Sequence, residues 1–400
     1  MTSAPSRTPR RAIAATAFAF LVTMMGTTIP TPLYSIYSAE LAFSPLTVTV
    51  LFAVYALGVV GALSFFGRLS DDLGRRPVLM IAVALALLSA TLFLLPPSLP
   101  LLIVARVISG LGAGFMSGAG TAAVIDLFPA ERKGAAGTLA VTANTGGLAL
   151  GTLLAGALAS AVPHPLAMPF AAHLVLCAIA LLCLWLWTPA PESRGRVRIR
   201  PHRLHVPASV RGPFARAVLA AGAGFAVTGV LTAVSALFLA RELRLESHAL
   251  AGFVVFLAFA GMAVGQVVAR RTSPRVALPA GCGGLVVAAA VLALALATAT
   301  LAPLLVAAAI LGIAGGLCLN AGIATTVEQV PAAHRGEVSS SFFAGLYVML
   351  AVPAIGVGLL AGTIGLRPAG LVFAAAVAAL ATVIGVVEVA APRDRRAKAG

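Results

Sequence analysis

Apolar stretches long enough to cross a bilayer, about 20 residues each, recur along this whole chain. Taken in order there are about twelve: roughly 12–35, 45–66, 77–96, 100–126, 135–162, 168–188, 213–240, 248–269, 276–299, 302–326, 337–362 and 368–388. Soluble domains carry roughly 25% charged residues, whereas this chain of 400 residues has 10% charged and 60% hydrophobic. No soluble core needs that much apolar surface. The reading is an all-α polytopic membrane protein of about twelve transmembrane helices.

Charge then orients the chain. With the N-terminus in the cytosol, 23 of the 27 basic residues fall on one face, from Arg7, Arg10 and Arg11 through the loops to Arg393, Arg395, Arg396 and Lys398. Arg241, Arg244 and Arg367 fall on the other, and Arg106 lies inside a span. This is the positive-inside bias, and it predicts both termini in the cytosol. The net charge of +15 therefore meets anionic headgroups. No aromatics interleave with the arginines, and no soluble domain carries them, so nucleic acid is not an expected partner. Arg outnumbers Lys 25 to 2, a codon bias toward GC-rich DNA, and the expected location is a bacterial inner membrane. A basic start before an apolar run also describes a signal peptide. This run is longer than a signal core and has a counterpart later in the chain, which predicts an uncleaved first span. Cys177, Cys183, Cys282 and Cys318 lie in apolar stretches without metal-like spacing, as packing residues do.

That counterpart belongs to an internal repeat. "DLFPAERKGA" (126–135) aligns with "EQVPAAHRGE" (328–337) at an offset of 202, matching acid to acid, Pro129 to Pro331, Lys133 to Arg335 and Gly134 to Gly336. "RAIAATAFAFLVT" (11–23) aligns with "RAVLAAGAGFAVT" (216–228) at 205. The similar offsets predict two pseudo-symmetric six-helix halves, 1–188 and 213–400, joined by a basic cytosolic linker, 189–212. Transporters built from such repeats hold a binding site near mid-bilayer between the halves and expose it alternately by rocking.

"GRLSDDLGRRP" (67–77) concentrates both signs of charge between spans two and three. It resembles the corresponding loop of the major facilitator superfamily, G-x-L-x-D-R-x-G-R-R, in Gly67, Leu69, Asp71, Gly74, Arg75 and Arg76; Asp72 departs from it. "RVISGLGAG" (106–114) resembles the family's span-four pattern. The resemblance implies the major facilitator fold and, more narrowly, the twelve-span drug/proton antiporter branch, in which the arginine at the place of Arg106 is implicated in proton coupling. The span-five antiporter signature is incomplete: Gly147, Gly151 and Gly156 stand, but Thr152 replaces the proline and Ala155 a glycine.

The residues themselves read compatibly. Gly67 and Gly74 suit a tight turn. Asp71 is placed to face span eleven, held by a helix N-terminus and by Arg75, with Asp126 a second partner for Arg75. Such a contact forms only while the cytosolic side is shut, so the loop reads as a latch; a stop-transfer loop would need the arginines but not the acid and glycines. Arg106, about six residues into span four, faces either the interior or, by snorkelling, the outer surface. All twelve acids fall in loops or at span ends. Asp71, Asp126, Glu40 and His173 are then the groups left for proton coupling, although a lone membrane histidine such as His173 is more often a packed, hydrogen-bonded residue. The cavity candidates are Thr23, Thr27, Tyr34, Tyr37, Tyr55, Asn144, Thr228, Thr232, Asn320 and Tyr347, although each taken alone more often binds helices together than contacts a ligand. Pro30 and Pro32 should kink span one, and Trp185 and Trp187 read as interface anchors.

No nucleotide-binding loop is present, and no cluster of metal ligands or Asp-rich site supports an enzyme. The expectation is a monomeric secondary active transporter without cofactor, working by rocker-switch alternating access. Its partners are a small-molecule substrate, protons and the lipid bilayer. Proton-coupled efflux of a small neutral or anionic amphiphile is the leading reading; the alternative is a proton-coupled importer or facilitator of a small nutrient.

Overall fold

The computed structural model describes residues 8–66, 70, 73–190, 206 and 210–390. Gly67, Asp71, most of the 189–212 linker and the 391–400 tail lie outside the described residues. Among the described residues, twelve helices are long and apolar enough to span a membrane. In the first half, span one is Arg10–Glu40, span two Pro45–Phe65, span three Arg75–Phe93, span four Leu99–Asp126, span five Ala130–Ala161 and span six Met168–Trp187. In the second, span seven is Arg211–Arg241, span eight His248–Ala269, span nine Pro274–Thr298, span ten Leu301–Thr326, span eleven Glu337–Ile364 and span twelve Leu366–Ala390. Among the described residues there are no strands. Within each half short connections reverse the chain, so the spans alternate in direction, and with an even number of spans the start of span one and the end of span twelve lie on one side, here the terminal end. The opposite side is the far end.

The packing follows the repeat. Span one packs on spans four, five and six, span two on four, and span three on four and six. Span seven packs likewise on ten, eleven and twelve, span eight on ten, and span nine on ten and twelve. The two halves meet through spans two and eleven and through spans five and eight, pairings that exchange when the halves exchange.

Glycines set the closest approaches. A Cβ on Gly110 of span four would press into the Tyr55 carbonyl and Gly58 of span two. Gly312, the residue 202 positions later, would press in the same way into the Ala258 carbonyl of span eight. Two helices meet backbone to backbone there, as small residues allow in membranes. Gly74 holds φ 87° at the start of span three, where a side chain would be strained. Pro30 and Pro32 break span one: its first helix ends at Thr28, a single 3-10 turn covers Thr31–Leu33, and a second helix runs Tyr34–Glu40. Proline lacks the amide hydrogen that a continuous helix needs at these positions.

Gly110→Ala should lower the thermal unfolding midpoint in detergent, by an overpacking cost of about 1–3 kcal/mol. Gly118→Ala on the same span, where a Cβ meets nothing within 4 Å, should leave it unchanged or slightly raised.

Candidate functional site

Arg106 is 1% exposed, and its guanidinium points inward. The break in span one leaves the Thr27 carbonyl of its last turn without an amide donor from its own helix, and Arg106 Nη1 donates to it at 2.6 Å. Longer bonds of 3.4 Å run from Nε to Leu51 O and from Nη2 to Phe52 O on span two. The guanidinium carbon sits 4.8 Å from the Tyr55 ring centroid and 5.8 Å from that of Phe52. The cation thus rests on three carbonyl oxygens and two aromatic faces. Among the described residues no carboxylate pairs with it. Snorkelling is ruled out by its burial.

Several sequence candidates gather around this group. The Tyr55 hydroxyl lies close to those of Thr27 and Tyr347. The rings of Tyr55 and Tyr347 meet edge to face at 6.1 Å, and Phe225 of span seven meets Tyr347 at 6.3 Å. Thr27, Tyr55 and Arg106 from the first half are thereby joined to Tyr347 of the second. Tyr34 and Tyr37 are buried with hydroxyls that have no hydrogen-bond partner. Thr23, Thr228 and Thr232 spend their hydroxyls on carbonyls of their own helices, Ala19, Gly224 and Thr228. Asn144 and Asn320 are half-buried on spans five and ten and do not reach Arg106. His173 is buried against span one: its Nε2 lies 2.9 Å from Val22 O, Cys177 Sγ flanks the ring, and Gly26 leaves room for it. Those contacts make it a packing histidine.

At the terminal end, Arg75 Nε donates to Asp126 Oδ2 at 2.9 Å and Arg75 Nη1 to Ser70 Oγ at 2.6 Å. Arg76 Nη2 donates to Trp185 O at 2.7 Å. These bonds tie spans three, four and six within the first half; a contact from Gly67 or Asp71 to span eleven lies outside the described residues. Glu388 of span twelve pairs with Arg216 of span seven. Trp185 is largely exposed and Trp187 partly so, on the surface that interface anchors occupy.

Sequence reasoning missed the polar contacts between the halves. Gln266 of span eight donates to Thr145 Oγ1 of span five at 3.1 Å, both side chains buried. Gln266 was detectable as an amide inside an apolar stretch, but Thr145 looked like any helix threonine. At the far end, Arg241 Nη2 donates to Ser38 Oγ at 3.0 Å, Ala249 N donates to Ser160 Oγ at 2.9 Å, and Ser35 Oγ lies 3.5 Å from His248 Nδ1. Glu40 lines an open cleft of about 520 Å³ beside these contacts.

Arg106→Lys replaces a planar fork by a single ammonium that cannot serve three carbonyls at once. Leaving a buried acceptor unmade costs about 1–3 kcal/mol, so this variant should show a lower unfolding midpoint in lipid nanodiscs.

The sequence profile described as Major Facilitator Superfamily matches residues 16–352. An MFS-type transporter of Aspergillus terreus is 33% identical over 139 residues, covering 34% of this chain and 25% of that protein. A Cronobacter sakazakii protein named for multidrug resistance, MdtD, is 30% identical over 142 residues, 36% of this chain and 30% of its own. The aligned part is thus about a quarter to a third of these curated relatives. Among solved structures, a bacterial homologue of the human lysosomal transporter Spinster, inward-facing and unoccupied, superposes with a TM-score of 0.75 at 16% identity, covering 96% of this chain and 98% of that one. The human organic anion transporter MFSD10 superposes at 0.68 and 17% identity, covering 96% and 100%. With the family profile matched across most of its length and its twelve spans arranged as in those structures, this chain is a multi-pass membrane protein that belongs to the Major Facilitator Superfamily, a family of transporters and not of enzymes.

Proposed function

We propose that this transporter exports a small neutral or anionic amphiphile in exchange for protons. Alternating access opens a cavity between residues 1–188 and 213–400, with 189–212 as the linker. The observation that carries this reading is Arg106: a buried cation, without a carboxylate partner among the described residues, beside Tyr55, whose ring meets Tyr347 of the second half. A rocking motion that parts spans two and eleven separates those rings and exposes the guanidinium to the path. Thr23, Thr27, Tyr34, Asn144 and Asn320 then line the cavity with neutral hydrogen-bonding groups. Such a lining suits an anionic or neutral ligand better than a strong cation.

Arg75, Arg76 and Asp126, with Gly67, Asp71 and Gly74, form the terminal-end gate in this proposal. The Arg75–Asp126 ion pair supports it, with its charges where span three begins and span four ends. The multidrug naming of the MdtD relative supports export, and MFSD10 is a transporter of organic anions by its own name. The proposed setting is a monomer in a bacterial inner membrane with both termini in the cytosol. Fluorescent-protein fusions at the C-terminus should glow while alkaline phosphatase inserted after Ala42 is active; the reverse pattern overturns the orientation.

Everted membrane vesicles holding an acid interior, with a pH-sensitive dye, test the activity. A lipophilic organic anion or neutral drug from a panel should release protons in a compound-specific way. Arg106→Met, at equal abundance, should reduce that release about ten-fold or more. Uptake of labelled compound by intact cells with no proton movement in vesicles would replace export by import or facilitated diffusion.

A further inference from the structure

His248 is the first residue of span eight, and its half-buried ring faces span one of the other half. Nδ1 lies 3.5 Å from Ser35 Oγ, and the ring also engages the Pro32 carbonyl in the broken segment of span one. The surrounding contacts hold this end shut. Ala249 N donates to Ser160 Oγ, and Arg241 donates to Ser38 Oγ. On span five, Gly156 has no Cβ because the His248 backbone occupies that space. Every one of these bonds crosses between the halves, so none survives a movement that opens the far end.

We propose that His248 is the proton-sensitive element of a far-end latch: the neutral ring holds the far end closed, and its protonation favours opening. The inference rests on the alternating-access reading above and adds to it a residue outside the terminal-end gate and the central hub.

The charges around the ring give the direction. Glu40 of span one, and Arg241 and Glu246 between spans seven and eight, line the same cleft, while span five brings Ser160. Tyr37 is buried behind them in span one. In the closed arrangement the half-buried imidazolium gives up part of its hydration, which the Pro32 carbonyl only partly replaces. It also sits at the positive end of the span-eight dipole and shares the cleft with the Arg241 guanidinium. Glu40 and Glu246 are exposed, where water and salt weaken their attraction, and among the described residues no carboxylate hydrogen-bonds to the ring. Opening returns the ring to water. Protonation that favours one arrangement over the other shifts their populations by that difference. An ordinary histidine changes charge near pH 6.5, so the latch responds in the range an external compartment spans.

The test uses the full chain in lipid nanodiscs, with nitroxide labels at Ala39→Cys and Leu245→Cys in a Cys183→Ser background. Pulsed electron spin resonance reads the distance across the far end from about pH 8 to about pH 5.5, a range that brackets the histidine titration. The long-distance population should grow roughly three-fold or more on acidification. His248→Gln should keep the pH 8 distribution at both values, and Ser35→Ala should raise the long-distance population already at pH 8. A His248→Gln protein with the same pH response as the parent overturns the latch, as does a parent whose far end closes further in acid. Labels that separate to a pH-independent extent overturn the latch alone. Labels that keep one distance in every variant and at every pH overturn alternating access as well.

Discussion

A guanidinium within the membrane-spanning region needs acceptors, and in this protein one of them exists because span one is broken. Pro30 and Pro32 end the first helix at Thr28, and a carbonyl that an unbroken helix would have engaged turns to Arg106 instead. Placing an arginine at the centre of a membrane helix costs roughly 2.5–3.5 kcal/mol on insertion scales. Three carbonyls and the faces of Tyr55 and Phe52 offset that cost. The same contacts lock spans one, two and four together around one point. Tyr55 then carries the contact onward to Tyr347, so the cation's surroundings are coupled to how the halves meet.

The two halves share their packing but not this site. Gly110 and Gly114 of span four correspond, 202 positions on, to Gly312 and Gly316 of span ten, and each pair lets its helix press against a neighbour's backbone. Arg106 corresponds to Ala308, which is buried with apolar neighbours. A common helical scaffold is thus kept in duplicate, while the charge resides in the first half alone. Inside the bundle the second half contributes neutral groups to the shared interface, Tyr347, Phe225 and Gln266, while its charged contacts across it, from Arg241 and Arg270, lie towards the two ends.

The interfaces between the halves also differ in chemistry. Spans two and eleven meet near the centre through the Tyr55 and Tyr347 rings, whose hydroxyls also lie close to each other, and through small residues. Spans five and eight are tied by Gln266 to Thr145 inside the bundle and by Ala249 to Ser160 at the far end. Arg270 adds a longer bond to the Gly134 carbonyl near the terminal end. At the far end the halves are drawn together by hydrogen bonds from Arg241 to Ser38 and from Ala249 to Ser160.

The number of spans, their limits to within a few residues and the break in span one were legible in the sequence, because apolar length and proline act locally. The repeat was legible too, since a shared offset survives even where single matches are weak. Gly74 reads as a turn glycine and has the positive φ that requires one; Asp126 reads as a partner of Arg75 and is one. The sequence left open which way Arg106 points, whether His173 packs or titrates, and which hydroxyls are free. Those depend on neighbours 50 to 150 positions away: Arg106 on a carbonyl released by two prolines, His173 on Val22 and the space at Gly26. The bonds of Ser35, Ser38, Thr145 and Ser160 carried no signal in the sequence, where each is an ordinary small polar residue in an apolar helix. Only the tertiary structure could decide them, because a hydrogen bond between halves is set by how two helices from distant parts of the chain lie against each other.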